Sequence, residues 1–370
     1  MFFKLPKRKK SGFVLVIATL VISLGVLITS LVVNRVNAYR HMSRLRVDTE
    51  KARMIALSGI DVAISQLGVF APQKKSDEQK PSPDKKPESP QEKKEDNKDD
   101  NDKEKAEFLV KKLNRWQKFE LDESADGLNG ELKIYIGSEN GKINLNKLYD
   151  FEKNKFMSQI PAEQPGGAPT QFDEKKFFQF LQEKIGLAFK LSKNIDFGSL
   201  LESFFKKRGE PLEDVSDLLA IPELAPLANM LFISPERETA LGDLFTVSTQ
   251  TQPTPLLFSQ TAQTIMELKN PTKGNTEKLP IDGIAQIIRS QKINWQSVWT
   301  PTLSVLYAKE YAAIPPQIKL LFEARFEPTV FSVVSYGKVG LATQKICAII
   351  EKNSSDNKRQ PFLITKFYWL

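Results

Sequence analysis

The sequence predicts an α+β fold: a long N-terminal transmembrane helix, then a small antiparallel sheet domain that carries a large, mostly helical insertion. Three observations point there. Phe13 to Val33 is a run of 21 residues without a charge. Period-two apolar alternation occurs early in the remainder, at Leu132, Ile134 and Ile136, and again near the end. Between those stretches, apolar residues recur at intervals of three and four.

The apolar run is long enough to cross a hydrocarbon core of about 30 Å as a helix. It outlasts the usual signal-peptide core of about 7 to 15 residues and ends in Asn34 and Arg35 rather than at a small-residue cleavage site. The span, 13–33, is therefore expected to be retained. Lys4, Lys7, Arg8, Lys9 and Lys10 precede it, so the short N-terminus is expected to stay on the cytoplasmic side while the remainder crosses. Arg35, Arg40, Arg44 and Arg46 beyond the span oppose this bias without reversing it. Taken alone the net charge of +8 points toward nucleic acid, but five of those charges lie in the first ten residues.

Residues 34–68 continue the helix, with Ala56, Leu57, Ile60, Ile64 and Leu67 as a stripe for a globular domain, and Gly68 and Pro72 ending it. Residues 72–107 hold almost no apolar side chain and read as a disordered, mixed-charge insertion. Order resumes with helical spacing through Leu109, Leu113 and Trp116. Residues 132–145 then read as a hairpin turning at Gly137 to Gly141, within a first α+β part at 108–150. The insertion, 151–278, is expected to hold helices at 173–190, 196–207 and 213–220. Residues 279–370 complete the domain with a short helix after Leu279, two strands joined near Gly337 and Lys338, and a final strand in "PFLITKFYWL".

"KKSG" ahead of "FVLVIATLVISL" resembles a type IV prepilin leader, with residues 1–12 removed after Gly12 and Phe13 as the new N-terminus. The wider chain resembles the large minor pseudopilins of type II secretion, the GspK family, through "KARMIALSGIDVAISQL", "NGKINLNKL" and "FSVVSYGKVGLATQKICAIIEK". Departures are the charged insertion, the "LPIDGI" form of a leucine–proline–glycine–isoleucine element, and the lack of a second asparagine-rich element. Ile17 stands where most pilins carry glutamate, as is typical of this family. The resemblance implies a pilin-like first helix, N-methylation of Phe13, a bacterial inner-membrane location with a periplasmic domain, and a place at the tip of a short pseudopilus. Its implied partners are other minor pseudopilins, the major pseudopilin, prepilin peptidase, and secreted cargo or the outer-membrane channel. The alternative is a membrane-tethered envelope protein left uncleaved at Gly12.

No enzyme is expected. His41, the single histidine, lies on the helix beyond the span, and no metalloprotease motif or cysteine pair occurs. Cys347 reads as a small buried hydrophobe that cannot form an internal disulfide. Family members are reported to hold calcium, an ion that takes carboxylates and carbonyls. Asp122 with Asp126, and Asp214 with Asp217, are the candidate ligands, with helix capping as the competing role. "LPIDGIAQIIRSQK" has the turn-into-helix outline of a helix-hairpin-helix DNA element, but a single copy that departs from the glycine-rich form, in a domain expected to be exported, argues against nucleic acid.

Overall fold

The computed structural model describes residues 11–71, 92–160, 170–189, 196–248, 253–269, 279–290, 294–323, 326, 328–353 and 361–370. Residues 1–10 of the expected leader, and 72–91 of the charged insertion, lie outside these. Helix α1 runs unbroken from Ser11 to Leu67. At 1.5 Å per residue it is roughly 85 Å long. It continues into a single 3₁₀ turn at Gly68–Phe70.

Among the described residues the main sheet has five strands: β1 (Trp116–Leu121), β2 (Gly130–Ser138), β3 (Val330–Val339), β4 (Ala342–Lys352) and β5 (Phe362–Trp369). Their spatial order follows the chain, and every neighbouring pair is antiparallel. Alternation decides the two faces. Leu132, Ile134, Ile136, Phe331, Val333, Ile346 and Ala348 meet the C-terminal part of α1, which buries Ala52, Ile55, Ala56, Ile60, Ala63 and Leu67. Tyr135, Val334, Tyr336 and Cys347 point the other way, toward Ile233 and Ala240 of the insertion. The sheet is thus a middle layer between one long helix and the 139–329 insertion.

Small residues let α1 approach. A side chain on Gly337 would stand 2.1 Å from the Ala52 carbonyl oxygen, and one on Gly59 would stand 2.1 Å from the Ser335 hydroxyl. Gly337 is therefore inside β3, and the β3–β4 turn falls at Gly340 and Leu341 rather than near residues 337 and 338. The outward position of the helix stripe also differs from expectation. Ile60 and Leu67 face the sheet, whereas Leu57 is exposed and Ile64 only partly covered. Ala52, Ile55, Ala56, Ile60, Ala63 and Leu67 share the face that meets the sheet, whereas Leu57 lies about 120° around the helix from the centre of that face.

Helix α2 spans Glu92–Lys111, so the charged insertion is helical from Glu92 onward rather than disordered to residue 107. Composition alone could not repay the ordering; tertiary contacts do. Asp102 and Ala106 are buried, Asp102 pairs with Arg289 at 3.0 Å, and Lys103 pairs with Asp282 at 3.2 Å. Both partners lie on a helix at Ile281–Arg289, the "LPIDGI" element, whose role here is to pack against α2. Helix α2 stops at Lys111 instead of running to Trp116. Asn114 takes a left-handed conformation (φ 56°) and turns the chain into β1.

The expected 132–145 hairpin is replaced. Strand β2 pairs with β1 on one side and β3 on the other, and the Glu139–Gly141 turn carries the chain out of the sheet. Ile143–Asn144 instead forms a short parallel ladder with Phe245–Thr246. Within the insertion, helices α3 (Glu174–Phe189) and α4 (Phe197–Arg208) match the expected periodicity. They pack through Phe177, Phe178, Leu181, Leu201 and Phe205, and 3₁₀ turns at Val215–Ala220 and Ala225–Met230 follow.

Candidate functional site

Two features of the fold are candidates for function: the free length of α1 and a cleft beneath the sheet. From Phe13 to Arg44 every side chain of α1 is exposed, including Ile17, and among the described residues this is the one helix long and apolar enough to cross a membrane. Three of the four hydroxyls in the span bond back to the helix. Thr19 donates to the Leu15 carbonyl at 3.1 Å, Ser23 to the Thr19 carbonyl at 2.7 Å, and Thr29 to the Gly25 carbonyl at 2.8 Å. Such back-bonding removes much of the cost of a hydroxyl in hydrocarbon. Phe13, the proposed mature N-terminus, is 73% exposed, and Gly12 lies in the first turn of the same helix. His41 is an exposed residue of this helix.

The "NGKINLN" segment, 140–146, crosses from the sheet into the insertion, and its polar residues are spent on joining the two. The Asn140 carbonyl accepts from the Thr254 amide at 2.7 Å, and its side-chain oxygen accepts from the Thr329 amide at 3.2 Å. Gly141 passes so close to Leu257 that a Cβ would lie 1.8 Å from that carbonyl oxygen. Lys142 is almost fully buried; its ammonium pairs with Glu139 and donates to the Gly242 carbonyl at 2.6 Å and the Ser332 hydroxyl at 3.0 Å. Asn144 caps the Leu145–Leu148 turn and donates to the Ser248 carbonyl at 2.5 Å. Asn146 accepts from the Leu212 amide at 2.8 Å and donates to the Leu212 and Val247 carbonyls, both at 2.9 Å. A motif read as a family signature is, in physical terms, a seam of buried polar groups with their partners supplied.

Beside this seam lies a cleft of about 320 Å³, bounded by Tyr135, Val334 and Cys347 of the sheet, Lys366 and Tyr368 of β5, and Asp214, Phe232 and Gly242 of the insertion. The Tyr135 hydroxyl donates to Asp243 at 3.0 Å, and the other Asp243 oxygen accepts from the Thr261 amide at 2.8 Å. Burial, with Asp243 alongside, holds the Tyr135 phenol well above its ordinary range. Burial likewise pushes the Cys347 thiol up to about 12, so it stays protonated at neutral pH and is no nucleophile. At the mouth, burial raises Asp214, but hydrogen bonds from Tyr368 and Ser216 and the charge of Lys366 outweigh it and leave the carboxyl below its usual range. Burial and the Asp214 hydrogen bond raise Tyr368 in turn.

The carboxylates expected as calcium ligands sit in two local turns. Asp122 caps the short Glu123–Asp126 helix through the Ser124 amide at 2.7 Å, and Asp126 accepts from the Asp122 amide at 2.9 Å. Asp214 and Asp217 form a capping box, and Asp217 also pairs with Arg208 at 3.1 Å. One oxygen of each carboxylate accepts from a backbone amide, and Arg208 and Lys366 stand at the second pair; calcium would call for six to eight oxygens around it. Among the described residues no group of three or more histidine, cysteine, aspartate or glutamate side chains converges. What sequence reasoning missed was the Lys142–Glu139 pair and Asp243; a lysine inside an otherwise apolar and amide-rich segment was the available signal.

No family model matches the chain, and no curated protein does. Among solved structures, the crystal structure of the GspK–GspI–GspJ complex from the enterotoxigenic Escherichia coli type 2 secretion system contains a chain similar to this one. The two share 11% identity at a TM-score of 0.41, over 89% of this chain and 99% of that one.

Proposed function

We propose that this protein is a minor pseudopilin: a non-enzymatic, single-pass inner-membrane protein whose first helix joins an assembly of similar helices and whose periplasmic domain sits at the assembly's tip. The observation that carries the reading is the junction at Gly12 and Phe13. A basic leader ending in Lys-Lys-Ser-Gly abuts an uncharged run, and that run is the free end of one continuous helix whose far end is the spine of the sheet domain. An anchor used only as a tether has no need of such rigidity between bilayer and domain.

In this reading prepilin peptidase removes residues 1–12, Phe13 is methylated on its new amine, and partner helices pack along the exposed part of α1. Ile17 places no carboxylate in hydrocarbon and so requires no partner amine from a subunit above it. The width of the domain, with its 139–329 insertion, suits a terminus, where it need be accommodated once, better than a repeating shaft. Cargo or an outer-membrane channel would then meet the domain rather than α1.

The test is the mass of the mature N-terminus in the membrane fraction, with Gly12→Ala as control. A chain beginning at Phe13, one methyl group heavier and lost in the control, is expected. An intact Met1 in both would leave the protein a tethered envelope component.

A further inference from the structure

The sheet and the 139–329 insertion do not close on each other everywhere. Folded interiors hold few voids larger than a water molecule, yet the cleft between these layers, about 320 Å³, has room for about ten waters or for a short alkyl chain with a polar end. Its floor is the insertion-facing side of the sheet, where Val330, Val334, Cys347 and Ile349 present methyl groups and a thiol. Leu231 and Phe232 line it from the insertion. An apolar body is therefore one requirement for an occupant.

The other requirement is charge. Five carboxylates line the cleft against two ammoniums, those of Lys142 and Lys366. The cationic donors are already spent. All three N–H groups of Lys142 are taken, by Glu139, the Gly242 carbonyl and the Ser332 hydroxyl, and Lys366 is engaged by the Glu213 carbonyl and Asp214. The Tyr135 and Tyr368 phenols likewise spend their protons on Asp243 and Asp214.

Carboxylate oxygens, by contrast, remain open. Lys142 donates to one oxygen of Glu139, and among the described residues the other accepts no hydrogen bond. Glu351 is partly buried at the same end of the floor and, among the described residues, takes part in no ion pair or side-chain hydrogen bond. The strand ladder brings the two near: Glu351 of β4 pairs with Val330 of β3, two residues before Ser332, whose hydroxyl accepts from Lys142. A carboxylate beside apolar walls is costly unless a cation or donor meets it, so the charge of the cleft suits a positive end group and opposes a negative one.

We infer that this cleft binds a small organic cation, an alkylammonium or alkylguanidinium whose chain lies along Ile349, Val334 and Cys347 and whose charged end meets Glu351 and the open oxygen of Glu139. A free amine and the lysine or arginine side chain of a peptide carry the same chemistry. The site belongs to the sheet and the insertion, so it is independent of cleavage after Gly12 and of what α1 assembles with.

Equilibrium dialysis of the full-length protein in a non-ionic detergent, with detergent alone as the reference, tests it. Hexylamine at about 1 mM is expected to be retained about fivefold more than hexanoate or hexanol. Glu351→Gln should remove most of that difference at an unchanged melting temperature, and Glu351→Lys should move the preference toward hexanoate. Glu139 is left intact in these variants because Lys142 depends on it. Glu310→Gln, at an exposed carboxylate outside the cleft, is the control and should change nothing. Nα-acetyl-lysine methylamide separates the two sources: retention that Glu351→Gln abolishes assigns the site to peptide side chains as well, and its exclusion beside retained hexylamine assigns the site to free amines. No retention of hexylamine, equal retention of hexylamine, hexanoate and hexanol, or the same loss in Glu310→Gln as in Glu351→Gln would each overturn the inference.

Discussion

Asn146 illustrates how much one side chain carries here. It makes three hydrogen bonds across the seam between the motif and the insertion. Asn146→Ala is expected to cost about 2–4 kcal/mol, since the Leu212 and Val247 groups lose partners they cannot all regain from water; denaturant titration reads this directly. Lys142 and Glu139 make the sharper case. Lys142→Met alone leaves a buried carboxylate unpaired and should cost about 3–5 kcal/mol, whereas Lys142→Met with Glu139→Leu should recover most of that loss, measured as a double-mutant cycle. Asp214 sets a pH dependence. Its folded carboxyl titrates below the ordinary value, so the stability it contributes is complete above about pH 4 and fades as the pH falls through the lowered folded value. Asp214→Asn should flatten that part of the acid limb of a thermal-melt series, while leaving the limb due to other carboxylates.

At the scale of elements, α1 and the sheet meet through alanine and glycine. Gly337→Ala would drive a methyl group into the Ala52 carbonyl and the Ala56 amide. The helix must then lift or the strand bend, at a cost of about 1–3 kcal/mol or more. Hydrogen exchange should reveal it as faster opening of the α1 residues 52–63 ahead of the insertion helices. Periodicity made the existence of α1, α3, α4 and the last three strands legible. It did not reveal which neighbour β2 would choose, because the alternation of Leu132, Ile134 and Ile136 fits any strand of like pattern. Nor did it give the near end of α2: a sequence this charged has no periodic signal, and its order depends on Arg289 and Asp282, remote in the chain.

For the whole molecule, the free apolar length of α1 and the folded domain should be separable. A fragment beginning at Arg35 is expected to stay soluble without detergent and to melt at nearly the full-length temperature, since residues 13–34 touch nothing in the domain. A large loss of stability in that fragment would mean that the span contributes to the fold.

The sequence by itself determined the run long and apolar enough to cross a membrane, the basic cluster ahead of it, the α+β class and the burial of Cys347, because each follows from local composition or from a period that a single element imposes on its own residues. Only the tertiary structure decided that Leu57 faces outward while Ala52, Ala56 and Ala63 face the sheet, that "NGKINLN" is a buried seam, and that the charged segment becomes helical. Those outcomes depend on what lies opposite each residue. Close approach favours the smallest side chains, and a buried polar group is stable only where a distant part of the chain supplies its partner.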